Sequence, residues 1–139
     1  MRFMMIVYPG AKAETGALPD PKVVEGMMKY NEELQKAGVL LALDGLHPSS
    51  KGARVHYERG GPRVSDGPFT EAKELVGGFW LIQVKSKDEA VAWARKAPMA
   101  EGEMIELRQV YEMPEFTNLD PKVAAQAEAI GKSLPGRQT

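Results

Sequence analysis

At 139 residues the length prior gives a single domain, long enough to bury a real core. Hydrophobic residues make up 43% and charged residues 27%, an ordinary globular balance, and a formal net charge of -1 gives no broad field to draw nucleic acid or an anionic membrane. No apolar run approaches the ~20 residues of a membrane span, and zero cysteines excludes disulfides, thiolate catalysis and Cys-ligated zinc, which fits an expected cytoplasmic location.

Phe3 to Tyr8 is a nearly continuous apolar run without a cleavage pattern, so it reads as a strand covered on both faces rather than a leader. Pro9 to Pro19, rich in Gly, Ala and Pro, reads as a mobile loop. Asp20-Pro21 starts a helix, with Asp as N-cap and Pro at the first helical position. Val23, Met27, Tyr30, Leu34 and Ala37 form its apolar stripe, and Gly38 suits the left-handed residue that ends it. Val39 to Leu43 is a second strand, running into Asp44-Gly45-Leu46-His47-Pro48. Arg54 to Glu58 and Pro62 to Ser65 form a polar hairpin turned at Arg59-Gly60-Gly61, expected at an edge or rim.

Asp66-Gly67-Pro68-Phe69 cannot continue a helix or an inner strand, because Gly67 permits positive φ and Pro68 removes a backbone donor. Phe79 to Val84 is a buried strand, and Ser86 to Glu89 is a capping box opening a helix that Pro98 stops. Met104 to Tyr111 is the last core strand, with Ile105, Leu107 and Tyr111 on one face and Glu106 and Arg108 on the other. The order β-α-β, hairpin, β-α-β predicts an α+β, ferredoxin-like antiparallel sheet with two helices on one face. Phe79 and Leu81 oppose Trp80 and Ile82, so both faces ask for cover, and a second copy of the chain is the expected cover for the face without helices. Residues 1–113 form the predicted domain. Residues 114–139 form a C-terminal extension, with a helix from Asp120-Pro121 to about Gly131 and a frayed tail over 134–139.

Asp-Gly-Pro-Phe, followed by Glu71-Ala72-Lys73-Glu74 and Gly77-Gly78-Phe79-Trp80, resembles the DGPF family of the YCII-related proteins. Asp88-Glu89-Ala90, Trp93-Ala94 and Pro98 resemble that family's helix after the central strand. Ile105 to Val110 resembles its closing strand, with Gln109 where a proline is common. The resemblance implies a dimeric α+β barrel and a His and an Asp as functional pair. A few relatives in the wider barrel group act as lyases, isomerases or dehydrochlorinases. The resembled family is sometimes fused to, or encoded beside, sigma-factor regulators, which implies at most a regulatory association.

Without cysteine, the acid-base candidates are the two His, carboxylates, Tyr and Lys. His47, at the expected mouth of the sheet, and Asp66, at the bend, are the sharpest pair; the plain alternatives are a surface-loop His and a turn Asp bonding its own backbone. Arg108 is a candidate carboxylate clamp, against an ion pair with Glu106 or Asp66. Trp80, beside Gly77-Gly78, and Tyr8 are candidate pocket walls, against plain core packing. His56 is expected exposed, and Lys73-Glu74 a rim pair. Two His nine positions apart fit no zinc spacing, and no cofactor or metal is called for. No glycine pair stands in a phosphate-loop context, and no basic-aromatic run points to nucleic acid. The function expected is a small-molecule lyase or isomerase using Asp66 with His47; the alternative is a non-catalytic ligand-binding or regulatory module.

Overall fold

Four apolar segments, each with one face too apolar for water, pair into an antiparallel sheet. The computed structural model describes residues 1–135. β1 (Arg2–Tyr8) lies at the centre, between β5 (Gly78–Gln83) and β6 (Met104–Gln109), and β2 (Leu40–Gly45) pairs with the far side of β5. The order β2-β5-β1-β6 is that of a ferredoxin-like α+β fold. β3 (Ala53–Glu58) and β4 (Gly61–Asp66) form a separate two-stranded hairpin, not an edge of the main sheet.

α2 (Pro21–Lys36) opens where Asp20 accepts a hydrogen bond from the Lys22 N–H, with Pro21 in its first turn. Its Tyr30 and Leu34 are buried and Gly38 has φ 74°, but Val23 is 51% exposed and Ala37 is exposed too, so only the middle of the stripe is buried. α3 (Lys87–Lys96) is capped by the Ser86 hydroxyl, which accepts from the Glu89 N–H, while the Glu89 carboxylate accepts from the Lys85 N–H. Tyr30 and Leu34, with Ala90 of α3, close on Phe3, Met5, Trp80 and Ile82 of the sheet. Met5, Leu34 and Ile82 are fully buried, each stabilising by about 1.5–3 kcal/mol.

The register places Met4 and Ile6 beside Leu81 and Phe79 on the opposite face. All four are only half-buried, whereas the helix-side residues Phe3, Met5, Trp80 and Ile82 are buried. A β-bulge between Leu40 and Ala42 lets Leu40 and Leu43 both meet the helix-side core.

Two expectations change. Residues 9–19 are not all loop: Ala11–Glu14 forms a short helix, α1, entered from Gly10 at φ 78°. Ala-Lys-Ala-Glu are all good helix formers, and Glu14 is tied to a distant loop. The C-terminal helix α4 (Pro121–Ser133) runs past Gly131 to Ser133, with Leu134 as its extended C-cap; of the expected tail, residues 136–139 lie outside the described residues. α4 begins on Asp120, which accepts from the Lys122 N–H, and buries no residue fully.

Candidate functional site

β2 runs out at Gly45, and the chain continues through Leu46-His47-Pro48 into a 3₁₀ turn (Ser49–Lys51) before β3. This segment meets α1 on one side and the Asp66–Phe69 corner on the other. The corner is built by close backbone approach. A Cβ at Gly67 would lie 1.7 Å from the Ser49 carbonyl oxygen, so only glycine fits. The Gly67 N–H donates to the Gly52 carbonyl (3.0 Å), and the Phe69 N–H donates to the Ser49 hydroxyl (2.9 Å).

Ser49 joins the corner to α1. Its N–H donates to one oxygen of Glu14 (3.0 Å) and its hydroxyl to the other. These two bonds, the hydroxyl's first, hold the Glu14 carboxyl below its ordinary range against the opposing effect of desolvation. The Phe69 ring carries the guanidinium of Arg54, with Cζ 3.8 Å from the ring centroid.

These segments enclose an open cleft of about 430 Å³. Glu14, Lys51 and Arg54 supply its charge, His47 an imidazole, and Leu46, Pro48, Phe69, Leu75 and Val76 its apolar wall. A hollow of about 10 Å³, room for one water, shares six residues with it, including Glu14 and His47. Among the described residues, no acid pairs with His47, Lys51 or Arg54, and no group of three His, Cys, Asp or Glu could hold a metal.

The residues singled out from sequence do not converge. His47 lines the cleft. Asp66 is exposed and opposite the cleft-lining Ala53 in the hairpin register, at the rim, and no hydrogen bond joins it to His47. Arg108 is opposite Met4 on β6, three strands from β2, or about 14 Å across the sheet. Its side chain is 72% exposed and pairs with Glu106 at 3.3 Å, the ion-pair alternative. Trp80 is 5% exposed on the helix side, so it walls no cleft: its indole N–H donates to Asn31 (2.7 Å), and its ring meets Tyr30 edge-on at 5.3 Å. The space expected beside Gly77-Gly78 is filled, since a Cβ at Gly77 would lie 2.4 Å from Pro9 and one at Gly78 2.9 Å from the Asp44 carbonyl. Tyr8 is half-buried opposite Met104, away from the cleft lining.

Glu14, Ser49, Lys51 and Arg54 were not singled out from sequence. Glu14 lies in a segment that reads as loop, Ser49 meets its partners 20 and 35 positions away, and Arg54 meets the Phe69 ring across the whole hairpin. The one local signal is positional: charged residues at the base of a hairpin whose other arm ends in Asp-Gly-Pro-Phe.

A model of the YCII-related domain matches residues 1–114. An uncharacterised protein of Rhizobium meliloti (strain 1021) is 36% identical over 76 residues, which are 55% of this chain and 61% of that protein. The chain thus spans less than two thirds of this curated relative. The chain belongs to the YCII-related family.

Proposed function

We propose that this YCII-related protein binds a small organic molecule in the cleft between α1, the 46–54 segment and the Asp66–Phe69 corner, and acts on it by general acid-base catalysis at His47. One observation carries the reading: an imidazole and two cations without acid partners, Lys51 and Arg54, line one open cleft with an apolar wall. Its volume lies in the range of small-molecule sites. An imidazole is the side chain suited to proton transfer near neutral pH. Asp66, at the rim, is the second carboxylate of the proposal, after Glu14. The reaction class is a lyase- or isomerase-type proton shift, as the resemblance implies.

The test is chemical-shift mapping of the full chain with benzoate and benzyl alcohol as probes. Signals of residues 46–54 and Phe69 shift if the cleft is the site; shifts confined elsewhere refute it. A second reading, ligand binding or regulation without turnover, is favoured by the missing His47–Asp66 hydrogen bond. His47→Ala separates the two, abolishing turnover under the first and leaving function intact under the second.

The proposal includes a homodimer. Met4, Ile6, Phe79 and Leu81 form a half-buried apolar patch on the sheet face opposite α2 and α3, and the hairpin exposes Val55, Tyr57 and Val64. A second sheet laid face to face covers the patch. A cytoplasmic setting accords with the cysteine-free sequence. No described helix is long and apolar enough to cross a membrane.

A further inference from the structure

We infer that the cleft takes a small organic carboxylate, and that Arg54, seated over Phe69, grips it. The inference rests on the cleft being the ligand site. Arg2, Arg63 and Arg108 each pair with a glutamate: Glu112, Glu58 and Glu106 respectively. Arg54 has an aromatic face instead of an acid, 3.8 Å away, and no described carboxylate pairs with it. A guanidinium over a ring keeps its N–H edge available, and that planar fork matches a carboxylate with two parallel bonds.

The platform beneath Arg54 is held in place. The Phe69 N–H is bonded to Ser49, and Ser49 to Glu14. Glu14 lines the same cleft, but its two oxygens are engaged by Ser49 and it makes no ion pair with Arg54. Lys51 adds a second cation without an acid partner. Their position next to Leu46, Pro48 and Val76 calls for a ligand with one anionic head and an apolar body. A dianionic phosphate fits less well, because Glu14 repels its second charge more strongly and already takes the Ser49 N–H at the start of the 49–51 turn.

The test compares benzoate, its neutral isostere benzamide and phenyl phosphate by ¹H–¹⁵N chemical-shift titration of the full chain. Benzoate is expected to shift residues 46–54 and Phe69 and to bind about tenfold or more tighter than benzamide. Arg54→Met should weaken benzoate by about tenfold and leave benzamide unchanged, while Arg54→Lys restores only part of the loss. Lys51→Met should weaken benzoate less than Arg54→Met. Equal binding of benzoate and benzamide, an unchanged ratio in Arg54→Met, or tighter binding of phenyl phosphate than benzoate overturns the carboxylate assignment. If the probes still shift cleft residues in any of these cases, the cleft stands as the site and only the assignment falls. If no probe shifts a cleft residue, both fall together.

Discussion

Replacing Gly67 with alanine is the sharpest test of how the corner works. The new methyl would sit 1.7 Å from the Ser49 carbonyl oxygen and 2.5 Å from its carbonyl carbon, both backbone atoms without rotamers to give way. The 49–52 turn must therefore move. That motion strains or breaks the Gly67–Gly52 bond at 3.0 Å and the Phe69–Ser49 bond at 2.9 Å. Two hydrogen bonds at about 1 kcal/mol each, with overpacking of about 1–3 kcal/mol in addition, give a loss of roughly 3–5 kcal/mol. At roughly 3 °C per kcal/mol for a chain of this length, melting falls by about 9–15 °C. Calorimetry measures it, with Gly60→Ala as the control, because a Cβ at Gly60 meets nothing within 4 Å. A Gly67→Ala protein melting within about 1 °C of wild type would refute the argument. Because Arg54 rides on Phe69, the same variant should also weaken benzoate binding.

Glu14→Gln should lower the melting temperature most at neutral pH. The Glu14 carboxyl titrates below its ordinary value of 4.5 in the folded chain, so its contribution is complete above that value and disappears as pH falls through the folded pKa. Melting curves of both proteins should converge in acid, and a difference that grows in acid would contradict this. Tyr30 is pushed up to about 12 by burial and then by Glu33, with its hydroxyl donating to the Trp93 carbonyl (2.7 Å). One of the four tyrosines should therefore ionise late in an ultraviolet titration, and stability should drop between about pH 10 and 12, as the unfolded phenol ionises first. Trp80→Phe removes the indole bond to Asn31 and part of the core, costing about 1–3 kcal/mol in denaturant melts while leaving benzoate affinity unchanged. Leu81→Glu puts a charge on the half-buried patch, and sedimentation should show single chains in place of the proposed dimer.

The elements were legible because their signals are local. Asp20-Pro21, Ser86 with Glu89, and Asp120-Pro121 each satisfy their helix's first N–H groups within a few residues. The alternation of Phe3 and Met5 with Met4 and Ile6 similarly sorts the two sheet faces. The site was harder to read because its contacts are long-range. Glu14 reaches Ser49 across 35 positions, and Phe69 reaches the same hydroxyl across 20. Trp80 shows the converse: its indole bonds Asn31, 49 positions away, so a residue that sequence allowed as a wall is held in the core.

Two residues make the Asp-Gly-Pro-Phe corner a brace. Gly67 is required by the Ser49 carbonyl, and Phe69 supplies both an N–H for Ser49 and a ring for Arg54. Asp66, by contrast, makes no side-chain hydrogen bond or ion pair among the described residues. A side chain with no structural partner at the rim of a cleft is free to meet a ligand, whereas Gly67 and Phe69 are fixed by the fold. Substitution should separate them: Asp66→Asn should leave stability within about 0.5 kcal/mol and alter only binding or turnover. Gly67→Ala should damage stability and binding together. If Asp66→Asn unfolds the corner as Gly67→Ala does, the carboxylate is part of the brace and the division between scaffold and chemistry fails at this residue.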